Sequence, residues 1–508
     1  MKIVHSKNHV KQESGEIVKT IRHIALTLVC TAVLAGCNGD DGKDGAQGTQ
    51  GVQGEQGTTG QQGAQGPQGE QGLDGVVRYA VAKDVVMTNA QHAYAVYSDS
   101  LQTAKMLKEK IDAFVAQPSD ENFTAAKQAW LEAREPYGQS EVYRFRDGPI
   151  DDLTTNDAGQ PVLVKEEGPE GAINAWPLAE AMIDYTIDMD GLQARGDDAI
   201  YSSGGNIIAD AATFPNITAE LIKNQFEVND EEANVSSGYH AIEFLLWGQD
   251  LNQDGTYTQA RDFTAGHRPV TDFYTTTNTQ TLPTANTCTS GENGSADTVC
   301  ERRGMYLKAA AELLVADLQG VVDAWTPGSG FHYIDYTKEE NANANLAAML
   351  ESMGRLGHGE LAGERMSVAV RTDSQEDEHS CFSDNTHRDI LLNAQGIENH
   401  YLGTYTRTNG EVLKGAGVHD LLMSAGHKEL AGELQTAIDA TMAAVRVIDD
   451  NAKNNGISFD VQIQTEKHQL EVRAAMTALK DQTAIVQKVI DTLGLETESL
   501  TDDTEEQF

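Results

Sequence analysis

The sequence predicts an all-α protein of two helical bundles carried behind a repetitive N-terminal stalk. Three observations lead there. Apolar residues recur with a 3.6-residue period over long segments rich in Ala, Leu, Gln, Glu and Lys, all good helix formers. Proline stays out of the interiors of these segments and collects between them, at Pro149, Pro161, Pro169, Pro269, Pro283 and Pro327. Alternating apolar and polar runs, the mark of half-buried strands, are few.

Residues 1–36 read as an export signal. Lys19, Arg22 and His23 precede an apolar stretch, Ile24 to Val33, that is too short to cross a membrane as a stable helix. It ends in Leu34-Ala35-Gly36-Cys37, which resembles the bacterial lipoprotein signal, in which the cysteine is lipidated and becomes the new N-terminus. The expectation is an exported protein held to a membrane only through lipid on Cys37, with Asn38 pointing to the outer membrane. From Gly39 to Gly75 every third residue is glycine, and Pro67 is the only proline. Only glycine fits at the axis of three wound chains, so residues 37–75 are read as a collagen-like stalk and the protein as a homotrimer through it. A hydrated tether is the other reading of so proline-poor a repeat. An extended stalk would reach about 110 Å at ~3.1 Å per residue.

Helical periodicity then runs through residues 76–495. It covers Val81 to Ala116, Asn122 to Arg134, Trp176 to Ile187, Ser236 to Gly248, Arg303 to Trp325, Asn343 to Val370, Val418 to Asn451 and Val461 to Leu493. Pro177 falls in a first turn, where a missing N–H costs nothing. Pro136 and Gly138 are expected to break the second segment, leaving Tyr137, Gln139 and Glu141 at an irregular turn. Gly354, Gly357 and Gly359 weaken the middle of the sixth. About 415 residues exceed what one core usually serves, so two bundles are expected, divided near 256–302. The acidic tail 496–508 is expected to be disordered.

The formal net charge is −41, from 78 acidic and 37 basic residues, which excludes nucleic acid as a partner because phosphate binding needs the opposite sign. Export leaves Cys288, Cys300 and Cys381 in an oxidising compartment. Cys288 and Cys300 flank a Gly/Ser/Asn loop and are read as a disulfide; pairing of Cys381 with either stays open.

One stretch stands out chemically: Gly238-Tyr239-His240-Ala241-Ile242-Glu243-Phe244-Leu245-Leu246-Trp247-Gly248. His240 and Glu243 lie three apart, on one helix face within an apolar run. They could share a cation such as iron or zinc, or bond to each other and tie two helices together. Glu360 and Glu364, four apart with Arg365 adjacent, could face a metal or be neutralised by that arginine. The block from Glu376 to Asp389 is dense in ligand-type side chains and too polar for a core. Asp250-Leu251-Asn252-Gln253-Asp254-Gly255 has the opening order of a calcium loop, but its twelfth position is Arg261, so calcium is a weak expectation. No His-Glu-x-x-His and no Gly-x-Ser-x-Gly occurs.

In four ordered motifs the chain resembles the imelysin family, and within it the branch of iron-regulated protein A. These are the 238–248 stretch, Arg134 with Pro136 to Glu141, Gly363-Glu364-Arg365-Met366, and the 376–387 block. The resemblance implies two four-helix bundles with the Gly-x-His-x-x-Glu site at their interface. It implies exported proteins of bacterial iron acquisition, hence iron or an iron-bearing ligand as cargo and membrane uptake components as partners. Carried onto this chain, it makes His240 and Glu243 metal ligands, adds Glu141 and Glu364 from other helices, and sets Arg134 and Arg365 behind them. The family was first classed as metallopeptidases; in that alternative Glu243 is the general base. A non-catalytic adhesion or scaffold protein is the third reading.

Overall fold

The computed structural model describes residues 80–187, 193–194, 205–253, 261–278 and 296–501. The chain separates into two units, Met1–Gly72 and Leu73–Phe508, and every described residue belongs to the second. The signal, Cys37, the glycine-repeat stalk and Cys288 therefore lie outside the described residues. Cys300 is disulfide-bonded, and Cys381 is a buried thiol.

Eight α-helices of ten residues or more make up the described fold, in two groups of four. The first comprises α1 (Ala82–Ala116), α2 (Asp120–Ser140), α3 (Gly238–Trp247) and α4 (Ala296–Trp325). The second comprises α5 (Ala342–Arg355), α6 (Thr386–Leu402), α7 (Lys428–Asn455) and α8 (Glu466–Leu493). Helix α1 packs on α2 and α4, and α3 lies across α2 and α4; α8 packs on α7 and α5, and α6 on α7. Because α4 belongs with α1, the change from one group to the next comes after Trp325, C-terminal to the 256–302 stretch. Three two-stranded antiparallel ribbons decorate the connections. Among the described residues no helix is long and apolar enough to cross a membrane.

Local chemistry sets the helix ends. The Asp84 carboxylate accepts from the Val81 N–H at 3.0 Å at the head of α1, and Ser119 Oγ accepts from the Asn122 N–H at 3.2 Å at the head of α2. Gly403, Gly456 and Gly494, all left-handed, stop α6, α7 and α8.

Several segments differ from expectation. Helix α2 runs through Pro136 and Gly138 to Ser140. Gly138 is there for closeness: a Cβ on it would stand 2.7 Å from Leu392 Cβ of α6, and one on Gly396 would stand 2.7 Å from the Gln139 carbonyl. The two glycines let the helix groups cross at this point. The 176–187 segment holds only a short helix, Glu180–Ile183, because its backbone bonds elsewhere: Ala179 N–H to Val235 O, and Ile207 N–H to Met182 O, both at 2.8 Å. The 418–451 segment is two helices, parted at Gly426, whose φ is +85°. Helix α6 was hidden by its polar first turn, although Ile390, Ala394, Ile397 and Tyr401 keep a helical spacing and are all buried. From the acidic tail, residues 496–501 are described, and Leu500 is buried against Gly354 of α5.

After α5 the helix continues as a wider π-helical segment, Leu356–Val368. Such segments interrupt the i→i+4 ladder and re-aim side chains, often at functional sites. Gly138→Ala should destabilise the protein by about 1–3 kcal/mol through overpacking. On the open surface of α7, where a Cβ meets nothing within 4 Å, Gly432→Ala should instead stabilise by up to ~1 kcal/mol. Urea unfolding of both variants distinguishes a packing role for Gly138 from a mere helix-propensity effect.

Candidate ligand site at the seam of the helix groups

Every residue of α3 is buried. Its start is held by a close approach: Gly238 has φ +81°, and a Cβ there would lie 2.2 Å from the Ile173 carbonyl oxygen. Trp130 Nε1 of α2 donates to the Tyr239 carbonyl at 2.9 Å, fixing the helix against the first group. This delivers His240 and Glu243, both wholly buried, to the seam.

Their contact is direct. His240 Nδ1 and Glu243 Oε2 are 2.9 Å apart. Glu243 Oε1 accepts from Ser383 twice, from its N–H at 3.0 Å and its Oγ at 2.6 Å. Burial holds the His240 ring well below its ordinary pKa and the Glu243 carboxyl well above, so this is a neutral pair. With Oε1 accepting from Ser383, a protonated Oε2 donates to Nδ1 and the imidazole proton sits on Nε2. Nε2 is buried and has no hydrogen-bond partner. That orphaned group is costly unless something meets it.

The neighbour of His240 is a second histidine. The His379 ring stands edge-on to it, centroids 4.6 Å apart at 84°. Trp176 also packs edge-on against His240, at 5.1 Å. His379 Nδ1 donates to Asp389 Oδ2 at 2.9 Å. Asp389 in turn accepts from Arg134 Nη2 at 2.9 Å and from Ser380 Oγ. Burial would raise the Asp389 pKa, but the Arg134 guanidinium outweighs it and keeps the carboxyl well below its usual range. An ionised Asp389 fixes the proton of His379 on Nδ1, leaving Nε2 as its lone-pair nitrogen; burial, with Arg365 nearby, keeps the ring neutral. Histidines oriented in this way by a carboxylate are common behind metal ligation.

His379 also lines a cleft of about 330 Å³, at the lower end of small-molecule sites. Arg144, Glu170, Trp176, Glu360, Glu364 and Arg365 share its walls. Arg144 reaches Glu170 at 3.2 Å and Glu360 at 3.4 Å; Arg365 reaches Glu360 at 3.5 Å. The Nε atoms of Arg144 and Arg365 lack hydrogen-bond partners.

The structure brings His240 and Glu243 together, but it does not draw Glu141 and Glu364 in beside them. Glu141 is occupied by Arg365, which bonds both its oxygens, while Asn174 Nδ2 approaches it at 3.5 Å and Arg144 at 3.7 Å. Burial raises the Glu141 pKa, yet Arg365 outweighs that and lowers it to about 2. Glu364 is exposed at the cleft wall. Among the described residues no group of three or more His, Cys, Asp or Glu side chains is placed to hold a metal ion. Arg134 and Arg365 each fix a buried carboxylate, Asp389 and Glu141. His379, Asp389 and Ser383 were legible only as members of a polar block. In the 250–255 loop, Asp254 and Gly255 lie outside the described residues, and Asn252 Oδ1 accepts from the Asp262 N–H at 2.8 Å.

The family described as imelysin matches residues 93–486, and the collagen triple helix repeat matches residues 34–77. The chain belongs to the imelysin family. No curated protein matches it in sequence. Its fold is similar to a crystal structure from Parabacteroides distasonis described as an iron-regulated protein A precursor, at 18% identity and TM-score 0.51, over 81% of this chain and 94% of that one. An imelysin-like protein from Psychrobacter arcticum aligns at 13% identity and TM-score 0.48, over 83% and 99% of the two chains.

The neutral pair has a consequence for stability. A folded Glu243 pKa above the unfolded value means the native state keeps a proton that the unfolded chain releases above about pH 4.5. Its contribution therefore destabilises the fold increasingly as pH rises from there towards the folded pKa, by up to ~1.4 kcal/mol per pH unit. Glu243→Gln abolishes the titration while keeping an acceptor for Ser383 and a donor for His240. Urea unfolding should give similar stabilities at pH 5 and a variant more stable than the unmutated protein at pH 7.5; parallel pH profiles would mean that Glu243 is ionised in the fold.

Proposed function

We propose that this chain is an exported, lipid-anchored imelysin-family protein that binds an iron-bearing ligand for uptake, the iron arriving with most of its coordination positions already filled. The observation that carries this is the edge-on pair His240 and His379, each anchored at Nδ1 by a buried carboxyl group beside a cleft rimmed by arginine and glutamate. Two imidazoles are too few to enclose a bare ion but suit the last positions of a chelated one. Imidazole is a good iron ligand, and neutral rings accept a metal without first losing a charge-bearing proton. The Nε atom of Arg365, which has no hydrogen-bond partner, suits an oxygen of a carboxylate-bearing chelator. The family and the fold shared with a protein described as iron-regulated protein A support the iron reading.

Ligation through His240 Nε2 requires that nitrogen to give up its proton. Glu243 passes its own proton across the 2.9 Å contact to Nδ1 and becomes a carboxylate hydrogen-bonded to the imidazole. One proton leaves the site, so binding tightens as pH rises. In the wider proposal, lipid on Cys37 and the glycine-repeat stalk set the reach, the stalk joins three chains, and membrane uptake components receive the cargo. The peptidase alternative is less well supported by this geometry. A general base needs an oxygen turned towards water, and both oxygens of Glu243 are turned to protein groups.

Calorimetry with ferric citrate tests the proposal. The protein should bind it at least ten-fold more tightly than iron-free citrate and release about one proton, read from the heats in buffers of different ionisation enthalpy. His240→Ala with His379→Ala should weaken binding at least ten-fold with unchanged far-UV circular dichroism. Ferric citrate binding that is absent, or that persists undiminished in the double variant, would reject the site.

A further inference from the structure

We infer that Arg146 and His332 form a second site, outside the cleft, that takes a small monovalent anion such as chloride. Arg146 follows the end of α2 and is 8% exposed. Its Nε donates to the Tyr143 carbonyl at 3.3 Å, and its Nη1 donates to Asn89 Oδ1 at 3.1 Å and Tyr336 Oη at 3.2 Å. All three acceptors are neutral, and among the described residues no carboxylate lies within ion-pair distance of it. Other buried arginines are matched differently: Arg134, Arg268, Arg303 and Arg365 each meet a carboxylate, while three backbone carbonyls satisfy Arg302. Arg146 alone of this set is a buried cation with neither counter-charge nor a complete set of acceptors. Its Nη2 has no partner.

The second observation is independent. His332, 7% exposed, also leaves a ring nitrogen, Nε2, without a partner. Both groups stand against the same two rings. The Arg146 guanidinium is 5.9 Å from the Trp325 ring and 5.6 Å from the Tyr336 ring. His332 meets Trp325 edge-on at 4.4 Å and Tyr336 at 5.5 Å. The aromatic faces offset part of the charge, but they supply no acceptor for either N–H. Burial, with Arg146 adding to it, lowers the His332 pKa to about 3, so the ring is neutral, and with its proton on Nε2 it brings one donor without a second charge. One fixed positive charge and two N–H donors suit a monovalent anion better than sulfate or phosphate. A water molecule could satisfy the donors but would leave the charge unmatched.

The test uses the full chain. Thermal unfolding is compared in sodium chloride and sodium gluconate at equal ionic strength, gluconate being too large to enter. Chloride should raise Tm by several degrees and saturate, Arg146→Met should flatten that dependence, and His332→Phe should shift its midpoint to higher chloride. Crystals of the unmutated protein grown in bromide should show an anomalous peak within hydrogen-bond distance of Arg146 Nη2 and His332 Nε2, which tests the site even if Arg146→Met fails to fold. Equal Tm in the two salts overturns the proposal, including when bromide enters at crystal concentration only. So does a chloride effect that survives unchanged in Arg146→Met, or a native map with water alone at that position.

Discussion

Two buried ion pairs hold the helix groups in one arrangement. Arg134 of α2 meets Asp389 of α6 at 2.9 Å, with both side chains wholly buried. Arg365 of the π-helical segment meets Glu141 just past the end of α2, again out of water. Removing one partner of such a pair costs about 3–5 kcal/mol, because the survivor is left charged in a poor solvent. The pairs therefore act less as glue than as a register. Each guanidinium has one place where its charge is matched, so sliding α2 against α6 would strand two charges and sliding it against the π segment another two. Gly138 and Gly396 permit the approach that these pairs demand.

Around that frame the seam is layered by protonation state. The ionised layer holds Arg134 with Asp389 and Arg365 with Glu141, where the nearby cation overcomes the effect of burial on each carboxyl. The neutral layer holds His240 and Glu243, where burial has no adjacent opposite charge to outweigh it. His379 joins the two, taking its orientation from Asp389 and presenting its edge to His240. The seam thus keeps two carboxyls, Asp389 and Glu141, charged and a third, Glu243, uncharged.

The π-helical segment shapes the cleft. Its glycines, which in isolation weaken a helix, allow the wider turn. Gly357 packs close to Thr483 of α8, where a Cβ would be 3.3 Å from the hydroxyl. The re-aimed turns set Glu360 and Arg365 on the cleft wall, facing Arg144 from the connection after α2. Acidic and basic groups alternate along this wall, so the cleft presents both signs to a ligand in spite of the acidic chain.

Much of the architecture was legible in the residues. Helical periodicity located the long helices from α1 to α8 with the exception of α6, and the glycine triplets marked a segment of a different kind. Both are local signals: a 3.6-residue or 3-residue period is imposed by backbone geometry whatever the surroundings. The pairing of His240 with Glu243 was legible for the same reason, since three residues on a helix fix two side chains as neighbours. What only the tertiary structure decided was the company they keep. Glu141 stood as a further ligand beside Glu243 until Arg365 was seen to occupy it, and His379 was one of several polar residues until Asp389 turned its ring. Pro136 and Gly138 read locally as a break, yet the packing of α6 made them part of a helix. Burial, counter-charge and protonation depend on partners 255 residues away in the chain for Arg134 and Asp389, and 308 for Arg407 and Asp99. No periodicity records such distances.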